Sequence, residues 1–157
     1  MGLGMDFSKL QPHDVLDIAI FSEQEAGEQY EHLAEAIEAG GDPEVAAFFR
    51  KMAGREQLHQ QQLAERREAL YSGVMPNLAN RAVWGIEAPY ETRATSAMTA
   101  AQAFGVALAA EKGAQAYYGA ALEHISEPGV AKLLEALRQS EVEHQRMLEF
   151  ELARRTG

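Results

Sequence analysis

The sequence predicts an all-α, antiparallel four-helix bundle with one long crossover between its second and third helices. Four long segments repeat apolar residues at three- and four-residue spacing. Glycine and proline gather at the joints between those segments. Two of the joints are short and the middle one is long, which is the pattern of two helical hairpins linked along the length of a bundle. At 157 residues and 17.2 kDa, the chain is the size of one domain spanning 1–157.

The first helix is expected from Pro12 to Ala39, with proline suited to its first turn and Gly40-Gly41 as its stop. Asp42 caps a second helix that opens on Pro43 and continues to Tyr71. The stretch from Ser72 to Thr95 holds Gly73, Pro76 and Pro89 and far exceeds a hairpin loop. It is expected to be a packed crossover, because Val83, Trp84, Ile86 and Tyr90 give it apolar surface to bury. A third helix is predicted from Ser96 to Ile125, and Ser126 and Pro128 announce a fourth that runs to Arg154. At about 27 residues each, these helices are roughly 40 Å long.

Composition removes several function classes. The chain contains no cysteine, which excludes disulfide scaffolds, thiol nucleophiles, iron–sulfur clusters and cysteine-ligated zinc. Fourteen basic side chains against 24 acidic ones leave a formal charge of −10, the wrong sign for a nucleic-acid partner. Met1 to Leu10 has neither a basic nor an apolar leader pattern, and no apolar run is long enough for a membrane span. The expected location is cytoplasmic.

The chemistry lies in the buried seams. The first reads Leu16, Ala19, Glu23, Ala26, Tyr30, Leu33, Ile37, and the second Val45, Phe49, Met52, Glu56, His59, Leu63. The third reads Phe104, Ala107, Glu111, Ala114, Tyr118, Ala121, Ile125, and the fourth Val130, Leu134, Leu137, Glu141, His144, Leu148. Each seam thus carries one glutamate at mid-length. Four facing carboxylates would unfold a bundle unless cations or protons compensated them. Four glutamates with two neutral histidines carry −4, which two divalent metal ions balance. Oxygen and nitrogen ligands without sulfur suit iron or manganese, with zinc as another occupant.

The pattern is also duplicated. Glu56-x-x-His59 and Glu141-x-x-His144 each put two ligands on one helical face, about one turn apart. Glu23-x-x-Ala26-x3-Tyr30 recurs as Glu111-x-x-Ala114-x3-Tyr118. The first and third helices are related by an offset of 88 residues, the second and fourth by 85.

This arrangement resembles the ferritin-like di-iron superfamily, and most of all its rubrerythrin-like branch, over Pro12 to Arg154. The resemblance implies a ferritin-like bundle holding two iron ions per chain on Glu23, Glu56, His59, Glu111, Glu141 and His144. Glu56 and Glu141 would bridge the pair, and Glu23 and Glu111 would be terminal. Tyr30 and Tyr118 complete the candidate catalytic set as tyrosines able to hydrogen-bond ligating carboxylates. The implied function is that of a non-haem di-iron redox protein, a peroxidase reducing hydrogen peroxide or an oxidase using dioxygen. With no cysteine, its electrons are expected from an external donor, rubredoxin-like or a reductase. Two other uses of the same ligands stay open: a ferroxidase handling iron as substrate, and a non-enzymatic metal-stabilised bundle. A homodimer is the expected assembly. Rubrerythrins have a further glutamate one turn after the third-helix ligand, where Ala114 stands, so redox-linked metal movement is not expected. Bacterioferritins have a haem-binding methionine where Gln57 stands, which argues against a storage cage.

The remaining conspicuous residues are assigned no chemistry. Tyr117, Trp84 and Tyr90 read as packing. Glu25, Glu28, Glu31, Glu35 and Glu38 read as a solvated face, and His13, His32 and His124 as surface or capping residues.

Overall fold

Apolar seams and end signals place the helices close to where the sequence puts them. A computed structural model describes residues 6–77 and 98–156. Its elements are a 3-10 turn, Phe7–Lys9, and four helices: α1 (Pro12–Ala39), α2 (Pro43–Tyr71), α3 (Ala100–Leu122) and α4 (Pro128–Thr156). The Asp14 carboxylate accepts from the Gln11 amide (2.8 Å) at the start of α1. Past its end, Gly41 takes φ of 96°, a left-handed turn that a side chain would strain. Asp42 then accepts from the Val45 amide at 3.2 Å and starts α2.

The third helix is shorter than expected at both ends. Thr99 accepts from the Gln102 amide (3.1 Å) while the Gln102 side chain accepts from the Thr99 amide (2.9 Å). This reciprocal cap starts the helix at Ala100 rather than Ser96. At the other end the Glu123 and His124 amides bond back to Ala120 and Ala121, and this tighter turn ends α3 at Leu122, before Ile125. The cap of α4 comes from Glu127, whose carboxylate accepts from the Val130 amide (2.8 Å), rather than from Ser126.

Paired contacts give the helix directions. Asp17 meets Arg67 and Glu38 meets Arg50, so α1 and α2 are antiparallel. Tyr30 meets Glu111 and Tyr118 meets Glu23, so α1 and α3 are antiparallel too. His59 meets Ser140 and Glu56 faces His144, which sets α2 against α4 in the same sense. Hence α2 and α3 run in parallel, and α2 ends at the opposite end of the bundle from where α3 begins. The all-α four-helix bundle is as the sequence predicts. The expected packing of Val83, Trp84, Ile86 and Tyr90 falls outside the described residues.

The core forms two apolar clusters. One gathers Phe7, Leu16, Ile18, Leu63, Tyr117 and Leu134. The other gathers Leu33, Ile37, Phe49, Met52, Phe104 and Leu148. Along every helix, the chain leaves one cluster, passes a buried glutamate and enters the other. At the α1 end of the first cluster, Arg67 is fixed by Asp17 (2.8 Å) and by the carbonyls of Tyr71 (2.6 Å) and Val74 (2.8 Å). Tyr117 is a packing residue with one bond, from its hydroxyl to the Val15 carbonyl at 2.8 Å.

Replacing that hydroxyl tests the bond alone. Tyr117→Phe is expected to lower unfolding free energy by about 1 kcal/mol at unchanged urea m value, with metal uptake unaltered.

Candidate metal centre

Between the two apolar clusters, each helix contributes its mid-seam polar residues to one layer. Glu23 comes from α1, Glu56 and His59 from α2, Glu111 from α3, and Glu141 and His144 from α4. All six are buried, and His59, at 6% exposure, is the most accessible of them. Helical spacing of three puts each histidine beside the glutamate one turn earlier. His59 Nδ1 lies 3.3 Å from Glu56 Oε1 and 3.4 Å from Glu23 Oε1. His144 Nδ1 lies 3.3 Å from Glu111, 3.4 Å from Glu141 and 3.6 Å from Glu56. The two imidazoles stack at 5.3 Å between ring centres, tilted by 8°.

These atoms form overlapping groups, two of four residues each and a third that joins Glu56 to both histidines. Glu23, Glu56, His59 and Glu141 can each offer one donor atom, all within 4.8 Å of one another. Glu56, Glu111, Glu141 and His144 do the same. Glu56 and Glu141 belong to both sets, while Glu23 and Glu111 each belong to one. Each of these two sets has three oxygen donors and one imidazole.

The two tyrosines lie behind the carboxylates in a crossed pattern. Tyr30 of α1 donates to Glu111 Oε2 of α3 at 2.5 Å, and Tyr118 of α3 donates to Glu23 Oε2 of α1. Each bond engages one carboxylate oxygen, and the Oε1 atoms of Glu111 and Glu23 are the ones near the histidines. Burial, with the Glu111 and Glu56 charges, pushes the Tyr30 hydroxyl well above its usual range, so it stays a donor.

The carboxylates are under electrostatic stress. Burial and then the charges of Glu23 and Glu111 push Glu56 well above the ordinary carboxylate range. Burial pushes Glu111 the same way, yet bonds from His144, Glu141 and Tyr30 outweigh it and hold Glu111 low. Glu23 Oε1, both Glu56 oxygens and His59 Nδ1 are buried with no hydrogen-bond partner among the described residues. Buried polar atoms are rarely left this way, and a cation at this layer would engage all of them. The donor set therefore fits a pair of hard or borderline divalent ions.

The other histidines and the acidic run of α1 lie away from this layer. His13 is half-buried against Tyr71 (6.1 Å between rings), His32 is exposed, and His124 stacks on Phe7 at 5.6 Å. In the acidic run, Glu28, Glu35 and Glu38 are exposed, whereas Glu25 and Glu31 are half-buried. One contributor escapes the seam pattern. Ser140 Oγ sits 2.9 Å from His59 Nε2, and its only sequence signal is that it precedes Glu141.

Comparison with known proteins gives the same outline. The family model Rubrerythrin matches residues 14–152. An uncharacterized conserved protein from Magnetospirillum magnetotacticum, known from a crystal structure, is 28% identical, with 92% of this chain and 95% of that one covered at a TM-score of 0.77. A hypothetical protein from Pyrococcus furiosus shares the fold at 21% identity and a TM-score of 0.69, over 94% of each chain. No curated protein matches the chain.

Two outcomes are expected of the centre. Substituting His59 and His144 together by alanine should abolish uptake of two metal ions per chain, read by elemental analysis of the folded protein. The apo-protein should lose thermal stability as pH rises from about 5 to about 8, because a folded-state pKa raised at Glu56 favours folding only while that group is protonated. Glu111, held low, contributes in full above the ordinary carboxylate range and adds no slope in that window. Glu56→Gln should flatten the apo profile in calorimetry, and loading the unaltered chain with zinc should flatten it too.

Proposed function

Because the chain belongs to the rubrerythrin family, we propose that it is a non-haem di-iron redox protein that reduces hydrogen peroxide with electrons from an external donor. The observation that carries this reading is the pair of overlapping buried donor sets sharing Glu56 and Glu141. His59 with Glu23 would hold one ion and His144 with Glu111 the other, with Glu56 and Glu141 bridging. When bound, the two iron ions supply the two electrons that split the O–O bond of peroxide.

The protein residues do the rest. The six residues would hold two ions in a layer with an apolar cluster above and below it, which keeps bulk water from those two sides. Tyr30 keeps its proton at the phenolic oxygen, and Tyr30 and Tyr118 hold Glu111 and Glu23 in one orientation. Each turnover consumes one peroxide, two electrons and two protons and releases two waters. None of the 157 residues is cysteine, so none can form a rubredoxin-type centre, and in this reading the electrons come from outside these residues, from a rubredoxin-like donor or a reductase. No helix among the described residues is long and apolar enough to cross a membrane.

The test loads the apo-protein anaerobically with two Fe(II) per chain and mixes it with peroxide or with dioxygen in a stopped-flow spectrometer. A near-ultraviolet band forming clearly faster with peroxide is expected. Faster formation with dioxygen would replace the reading by an oxidase or ferroxidase. No band with either would leave a metal-stabilised scaffold.

A further inference from the structure

Where α2 faces α4, a cavity of about 290 Å³ opens at the outer edge of the two histidines. Arg55, Leu58, Gln62 and Ser140 line it, with His59 and His144 at its base. Among the described residues no carboxylate lines it, although the chain carries a net charge of −10.

The hydrogen-bonding state of this cavity follows from the metal reading, on which the inference rests. Both histidines turn Nδ1 toward the glutamates. A neutral imidazole that gives Nδ1 to a metal keeps its proton on Nε2. His59 Nε2–H then donates to Ser140 Oγ across 2.9 Å, and the hydroxyl proton of Ser140 is left to donate to another group. His144 Nε2–H meets no acceptor among the described residues, although His144 is only 1% exposed. Arg55 makes no ion pair or hydrogen bond with any described residue. One cavity thus gathers a guanidinium, a hydroxyl proton and the ring N–H of a buried histidine.

A water molecule can accept from two of these donors but brings no negative charge to pair with Arg55, whose side chain is exposed to solvent. A carboxylate or a tetrahedral oxyanion offers enough lone pairs for all three, and arginine binds either one bidentately. The volume lies at the small end for ligand sites, which excludes a nucleotide and admits a small organic acid or a phosphate. We propose that this cavity is a binding site for a small oxyanion, held by Arg55, Ser140 and His144 Nε2–H on the histidine side of the metal centre. An acceptor on Nε2–H strengthens the imidazole as a ligand. Metal and anion therefore bind cooperatively, each raising the affinity of the other by one common factor.

The experiment uses the full chain loaded with zinc, its metal content measured first. Acetate and, separately, sulfate are titrated while the histidine ring N–H signals are followed by ¹⁵N NMR. A saturable shift of the His144 Nε2–H signal is expected, with affinity about tenfold weaker in Arg55→Ala, partly retained in Arg55→Lys and reduced in Ser140→Ala. Tighter acetate identifies a planar carboxylate, and tighter sulfate a phosphate-like group. The absence of a saturable shift overturns the proposal. So does equal affinity in Arg55→Ala, which would mean that the anion sits on the zinc itself. A chain that takes up no zinc overturns the metal reading as well, and the initial metal analysis makes that case distinct.

Discussion

Burying four carboxylates at one level of a bundle is costly enough to shape what surrounds them. Removing an ion from water costs several kcal/mol unless an opposite charge compensates. The core divides accordingly, with one apolar cluster on each side of the polar layer. Two hydroxyls, from Tyr30 and Tyr118, are aimed at Glu111 and Glu23. Glu56, whose two oxygens accept no hydrogen bond among the described residues, is the group pushed toward protonation. A pair of ions at this layer would turn the most unfavourable level of the bundle into one that ties all four helices together.

Much of this is legible in the chain because one physical rule governs both the seam and its exceptions. Period-3.6 spacing identifies the buried face of each helix, and a glutamate on that face is conspicuous against its apolar neighbours. All six predicted ligands fall in the buried layer for that reason. Tyr30 and Tyr118 are legible as a repeated motif, whereas their crossed pairing with Glu111 and Glu23 depends on α1 and α3 being antiparallel neighbours.

What is not legible depends on inter-helix register or on competition at helix ends. Ser140 looks like any half-exposed serine until α4 is set against α2, when its hydroxyl meets His59. Sequence pattern starts α3 too early because no glycine or proline separates Ser96 from Thr99, whereas the reciprocal bonds of Thr99 and Gln102 set the start at Ala100. Internal duplication hides asymmetry as well. At the residue before the Glu-x-x-His glutamate, one half has Ser140 and the other has Arg55, so the two histidines face different surroundings despite matching motifs.

The two donor sets also divide unequally between the hairpins. The α1–α2 hairpin supplies Glu23, Glu56 and His59 to one set, and Glu141 reaches in from the other hairpin. The α3–α4 hairpin supplies Glu111, Glu141 and His144, and receives Glu56 in return. Neither half completes a set alone, and each lends the other the single group it lacks. A chain of half this length with one such hairpin would find every missing donor in a second copy of itself. The duplicated motif has the form left by fusing two such halves, and each donor set is complete only where the two hairpins meet.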